Sequence, residues 1–179
     1  MLDYKAMFRD AGVCLEKSIF RPDDSPDSCA LLRFVDMWFP NRRDLRILEI
    51  GTCHGISAAL LAMRGDVVTL DLTHKADVDD NLTRMQVADR VTCLYGKPAE
   101  VRQQVRGPFD MAFIDGEHSY NAVRADIAFA RTWARHVVLH DYFTRFRGVM
   151  QAIDEAARER GCIKTVMNIF AGLEFQHND

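Results

Sequence analysis

Two short stretches hold the side chains best suited to move a proton or bind a cation. Phe113-Ile114-Asp115-Gly116-Glu117-His118-Ser119-Tyr120 carries Asp115, Glu117 and His118. Val138-Leu139-His140-Asp141-Tyr142 carries His140 and Asp141. Carboxylates with imidazoles are a ligand set for a hard or borderline cation. An imidazole is also the side chain that most readily serves as a general base near neutral pH. No regular ligand spacing such as His-Glu-x-x-His is present, so both uses stay open. The structural alternative is that Asp115 or Ser119 caps the next helix and that His140 is a hydrogen-bonded structural residue. A third stretch, Ile47-Leu48-Glu49-Ile50-Gly51-Thr52-Cys53-His54-Gly55, has the spacing Glu-x-Gly-x-x-x-Gly. Gly51 allows a tight backbone turn there, with no side chain in the way of a ligand. The spacing is neither Gly-x-Gly-x-x-Gly nor a P-loop. Asp71 closes Val68-Thr69-Leu70-Asp71, twenty positions beyond Gly51. An acidic residue at about that distance is placed to accept hydrogen bonds from a ribose diol.

These stretches need a scaffold, and the apolar pattern supplies one. Short apolar runs at 46–50, 67–72, 91–95, 111–114 and 137–139 alternate with helix-like stretches at 56–63, 78–88, 98–105, 119–131 and 146–160. Near-continuous apolar strands are buried on both faces, as in parallel sheets. The alternation predicts a doubly wound α/β fold, a three-layer αβα sandwich. Each chemical stretch then follows a strand, at the end of the sheet where ligands bind. In 119–131, Tyr120, Val123, Ile127 and Ala130 share one face, and Arg124, Asp126 and Arg131 are expected away from it. A turn-rich block at 21–26 precedes a helix capped by Asp27 or Ser28 and running to about Phe39, before Pro40. At the other end, 165–169 and 173–176 predict a hairpin turning at Gly172. One domain, 1–179, is expected, with 1–40 a helical lead-in and 45–179 the core.

Composition narrows the function classes. The chain has 179 residues, is 48% hydrophobic and 27% charged, and carries a net charge of −3. That balance predicts no electrostatic grip on nucleic acid or anionic membrane. No apolar run approaches the ~18–20 residues of a membrane span, and Met1-Leu2-Asp3-Tyr4-Lys5 lacks the pattern of a signal peptide. The five cysteines, Cys14, Cys29, Cys53, Cys93 and Cys162, contain no Cys-x-x-Cys pair. They are expected as isolated thiols in a reducing cytoplasm.

The segments ILEIGTCHGISAALLA, VVTLDL, FDMAFIDGEHSYNAVRADI and VVLHDYF, spread over 45–161, resemble class I S-adenosylmethionine-dependent methyltransferases. The nearest resemblance is to the small proteins related to cephalosporin hydroxylase-like and macrolide-sugar O-methyltransferases. It implies a Rossmann-like methyltransferase fold with a mostly parallel seven-stranded sheet and a C-terminal β-hairpin. It implies S-adenosylmethionine as cofactor. Glu49, Gly51, Thr52, Gly55 and Ser57 would form the loop and helix start that hold its methionine part. Asp71 and Leu72 would take the ribose side, Gly96 the stretch after the third strand, and Asp115 the methionine moiety and reacting centre. His118 matches a base position of the sugar-modifying relatives. In metal-dependent relatives, acidic positions matching Asp115 and Asp141 bind magnesium, and His140 stands where those are often acidic. Mg2+ or another divalent cation on Asp115, His140 and Asp141 is thus a conditional expectation. Lys97 occupies a position near the adenine where relatives often carry an acidic or small polar residue.

The expected reaction is O-methylation of a small-molecule hydroxyl, on a sugar or related metabolite. Phe143, Phe146 and Trp38 could form an apolar wall for that acceptor, and Trp38 could equally be core. The alternative is a non-catalytic S-adenosylmethionine-binding module or partner subunit. A nicotinamide-dependent dehydrogenase is disfavoured by the glycine spacing. No nucleic-acid or membrane partner is expected, the location is cytoplasmic, and a homodimer stays open.

Overall fold

Within β1 (Leu45–Ile50), Ile47 packs among helices on one side of the sheet and Leu48 among those on the other. This is the period-two alternation of a strand covered on both faces. The computed structural model to which β1 belongs describes residues 4–15, 27–159 and 161–176. Parallel to β1 run β2 (Gly65–Asp71), β3 (Val91–Tyr95), β4 (Met111–Ile114) and β5 (His136–Leu139). β6 (Cys162–Met167) and β7 (Phe170–Phe175) complete a seven-stranded sheet of order β3-β2-β1-β4-β5-β7-β6. β7 runs antiparallel to both of its neighbours, β5 and β6. The expected doubly wound, mostly parallel sandwich is therefore present.

The helices divide between the two faces. α1 (Tyr4–Asp10), α2 (Asp27–Trp38), α3 (Ile56–Ala62) and α4 (Val78–Arg84) bury Phe8, Phe34, Leu61 and Leu82 against one face. α5 (Pro98–Val101), α6 (Tyr120–Ala130) and α7 (Arg147–Ala157) bury Val101, Ile127 and Ile153 against the other. From β1 the chain moves outward through β2 to β3, then returns to place β4 on the opposite side of β1. The strand order reverses between β1 and β4. That reversal opens a crevice beyond their carboxyl ends, where ligands bind in this architecture.

Three sequence expectations are corrected. The helix expected over 78–88 ends at Arg84, because Gln86 takes a left-handed φ of 58° before a 3-10 turn at Ala88–Arg90. The helix expected over 98–105 is the short α5, Pro98–Val101. Gly172 is not the hairpin turn. It lies inside β7, paired with Val138 and Thr165, and the hairpin turns instead at Asn168 (φ 56°) and Ile169. Gly172 is needed because α2 crosses above it. A Cβ there would lie 2.4 Å from the Phe34 ring and 2.8 Å from the Trp38 ring. Gly172→Ala is expected to destabilise the protein by about 1–3 kcal/mol through overpacking, read as a lower urea midpoint with an unchanged m-value. The block at 21–26 lies outside the described residues, as does the side-chain cap at Asp27 or Ser28.

Candidate functional site

The cavity begins where β1 ends. Gly51 adopts φ 107°, and a Cβ at that position would sit 2.2 Å from the carbonyl oxygen of Asp115. Only glycine lets the loop after β1 pass this close to the loop after β4. Gly55, at φ 74°, then opens α3. The cavity beyond these loops has a volume of about 760 Å³. Gly51, Thr52, Ser57, Asp71, Leu72, Gly96, Asp115, His118, His140 and Asp141 all line it. Glu49 and Gly55 do not.

Each flank of the cavity has its own chemistry. At the end of β2, Asp71 Oδ2 accepts a 2.7 Å hydrogen bond from the Cys53 amide and so ties the glycine loop to the strand. Its remaining lone pairs stay available to hydroxyl donors in the cavity. Across the switch point, Asp141 takes a left-handed φ of 59° after β5, a conformation Asp tolerates better than most residues. Its Oδ2 lies 2.6 Å from Nε2 of His118. Burial tends to raise the Asp141 carboxyl, but the hydrogen bonds and charges of His140 and His118 outweigh it and hold it below the ordinary range. A carboxylate only accepts, so the bond assigns the His118 proton to Nε2 and leaves Nδ1 as the basic nitrogen. Phe146 stacks on His118 with ring centroids 4.5 Å apart, and Phe143 meets Phe146 edge-on. Two of the three expected wall residues therefore gather at His118. The third does not, since Trp38 packs between Phe34 and His136 in the core layer beside β7. Ser119, not Asp115, caps α6, through a bond from the Ala122 amide. Asp115 is thereby left free for the cavity.

His140 is bracketed by carboxylates. Its Nδ1 lies 3.1 Å from Asp115 Oδ1 and 3.3 Å from Asp141 Oδ2. Burial alone would depress the imidazole, but the two carboxylates hold it up at about 10. It is an imidazolium at neutral pH. Donor atoms of Asp115, His140 and Asp141 lie within 4.8 Å of one another, so the three could also enclose a cation. His140 Nε2 and Asp141 Oδ1 are buried without a hydrogen-bond partner among the described residues.

Glu49 sits beneath the cavity floor, fully buried, its Oε2 accepting a 2.5 Å bond from Thr69, whose hydroxyl also pairs with Thr52. Burial pushes its carboxyl up to about 8 against the opposing effect of the Ser57 and Thr69 hydroxyls. An unfolded Glu titrates near ~4.3, so between there and about 8 the folded state binds the extra proton. Stability contributed at low pH is then lost as pH rises through that window. Glu49→Gln, neutral throughout, is expected to remove this fall, worth on the order of 2–5 kcal/mol between pH 5 and pH 8. Urea unfolding of both proteins at the two pH values checks it.

One cavity residue lies where the sequence did not place it. Asp126 was expected away from the apolar face of its helix, yet it is buried, 9% exposed, and lines the cavity. The available signal was its place between Ala122 and Phe129 at i+4 and i−3, a helical stripe that also faces inward.

Comparison with known proteins sharpens the reading. A family model described as a methyltransferase domain matches residues 48–142. A catechol O-methyltransferase from Mycobacterium tuberculosis (strain ATCC 25618 / H37Rv) is 36% identical over 118 residues, covering 62% of this chain and 54% of the relative. The chain thus spans about half the length of that curated relative. Among solved structures, cofactor-bound Rv0187 from MTB superposes with TM-score 0.70 at 24% identity, covering 98% of this chain and 88% of that one. An O-methyltransferase from Bacillus cereus in complex with SAH gives TM-score 0.69 at 21% identity, with 97% and 90% covered. At those identities the structural matches establish the fold.

Proposed function

The chain belongs to the methyltransferase domain family, and from that premise we propose that it transfers a methyl group from S-adenosylmethionine to the hydroxyl of a small molecule. The observation that carries this is one cavity with a hydroxyl-accepting carboxylate, Asp71, on one flank and a carboxylate-held imidazole, His118, on the other. The Bacillus cereus relative binds SAH in the same fold, and the Mycobacterium tuberculosis relative is a catechol O-methyltransferase. Both support the reading.

The cavity suits the donor. The glycine loop offers a backbone cradle that a Cβ at position 51 would fill, and Asp71 can take a ribose diol. When bound, the donor supplies a methyl already activated on a sulfonium, so the protein must orient the acceptor and remove its proton. Phe143 and Phe146 give the acceptor an apolar wall at His118. Nδ1 of His118 takes the hydroxyl proton as the oxygen–methyl bond forms and the sulfur–methyl bond breaks. Asp141 then stabilises the imidazolium. Asp115, 3.1 Å from His140 and 4.0 Å from His118, keeps His140 charged and helps to orient both rings.

A second reading, favoured by donor atoms of the three residues lying within 4.8 Å of one another and by the unpartnered Oδ1 of Asp141, is that Asp115, His140 and Asp141 would hold a divalent cation in place of the His140 proton. Two carboxylates and an imidazole suit a transition-metal dication better than magnesium. When bound, such an ion would lower the pKa of the acceptor hydroxyl. The four described free cysteines, Cys14, Cys53, Cys93 and Cys162, fit a reducing cytoplasm. No helix among the described residues is long and apolar enough to cross a membrane.

The test is transfer of labelled methyl from S-adenosylmethionine to a panel of sugar hydroxyls and catechols, with and without a chelator. Labelled methyl ether is the expected product. Activity that survives chelation removes the cation. Donor binding with no transfer to any acceptor would mark the alternative, a non-catalytic module, and no donor binding would overturn the reading altogether.

A further inference from the structure

Asp126 has no role in the chemistry above, yet its placement is unusual. The residue is 9% exposed and lines the cavity. Its carboxylate makes no hydrogen bond or ion pair with any described residue, the cavity's own Lys75 and Lys97 included. A buried polar group without a partner is costly and calls for an explanation. Burial first, and the nearby charge of Glu117 second, push this carboxyl up to about 6.

The surroundings say what kind of partner is missing. α5 packs on α6, and the wall these two elements give the cavity is otherwise Pro98, Ala99, Ala122, Ala125 and Phe129. Those side chains offer apolar surface and no hydrogen-bond donor. On the facing loop Gly116 leaves the carboxylate uncovered, since a Cβ there would stand 3.4 Å from Asp126 Oδ2. An apolar slot with one acceptor-only group fits a flat aromatic ring that carries an N–H donor at its edge.

We propose that Asp126 is the specificity residue for the purine end of the methyl donor, its carboxylate accepting a hydrogen bond from the exocyclic 6-amino group of adenine. This rests on the S-adenosylmethionine reading above. It assigns the base recognition to α6 and not to Lys97, the residue after β3. A purine with a 6-oxo group presents an acceptor to the same carboxylate and is disfavoured, because the two acceptors then face each other with no proton to share.

The probes are S-adenosylhomocysteine and S-inosylhomocysteine, which differ in the 6-amino and 6-oxo groups, titrated calorimetrically into the intact protein. The unsubstituted protein is expected to bind the adenosyl compound about 10- to 100-fold tighter, the worth of one charge-assisted hydrogen bond. Asp126→Asn carries both a donor and an acceptor and is expected to bring that ratio close to one. Asp126→Ala is expected to weaken the adenosyl compound about 10- to 100-fold while changing the inosyl compound little. A purely structural residue would not move the ratio. If the unsubstituted protein binds both compounds equally, or if both variants keep its preference, the inference fails while the donor reading stands. If neither compound binds the unsubstituted protein, the donor reading fails and this inference with it. The ratio of the unsubstituted protein needs no variant, so a poorly folding substitution does not spare the proposal.

Discussion

Replacing His118 by alanine is expected to slow methyl transfer by about 10²–10⁴-fold, the usual contribution of a general base, while leaving affinity for the methyl donor unchanged. The split follows from geometry. His118 lies on the acceptor side of the cavity, stacked on Phe146 and hydrogen-bonded to Asp141 at 2.6 Å. Its side chain is 40% exposed, so removing it opens no core cavity and the fold should tolerate the change. The loss should appear in kcat for an acceptor with an aliphatic hydroxyl, which ionises poorly on its own. It should shrink for an acidic phenol, which needs less help from a base. Asp141→Asn is expected to reduce the rate in the same direction, since the developing imidazolium loses its counter-charge. His118→Ala with full activity on the true acceptor would dismiss His118 as the base and shift attention to the Asp115–His140 pair.

Replacing Asp71 by alanine is expected to weaken S-adenosylmethionine binding by about 10- to 100-fold, with little effect on the chemistry once donor is bound. Two separable losses contribute. The first is direct, a carboxylate facing a ribose diol. The second is local, because Asp71 also holds the Cys53 amide at 2.7 Å and with it the loop that Gly51 turns. Asp71→Asn separates them. Its amide oxygen can still accept from Cys53, so the loop stays tied while the charge-assisted bonds to the diol weaken. An intermediate affinity for the asparagine variant is the expected titration result. Unchanged affinity in both variants would mean that the glycine loop serves another ligand.

Much of the architecture was legible because strands and helices advertise themselves within a few residues. The runs at 91–95 and 111–114 coincide with β3 and β4; β4 is buried throughout, and such an apolar strand covered on both faces needs no distant information to be recognised. The glycine loop and Asp71 were legible for a similar reason: a strand, a turn and a strand end form one unit of about thirty residues. The hairpin shows the limit. Gly172 reads as a turn in sequence because glycine is common in turns. In the fold it is a strand residue made small by two aromatic rings of α2, more than 130 positions earlier in the chain.

By itself, the sequence determined the order of elements, the sheet they build and the strand ends at which chemistry gathers. Those features depend on local periodicity and backbone preference. Only the tertiary structure decided which charged groups meet. His118 and Asp141, 23 positions apart, share a hydrogen bond, and Asp115 and Asp141 close on His140. Asp126 is turned from an expected surface position into the cavity wall, and Trp38 is drawn away from the site into the core. A carboxylate has the same local preferences whether it ends beside water, an imidazole or an apolar slot. Its surroundings are set by the packing of elements remote in the chain, and that packing fixes its charge state and its use.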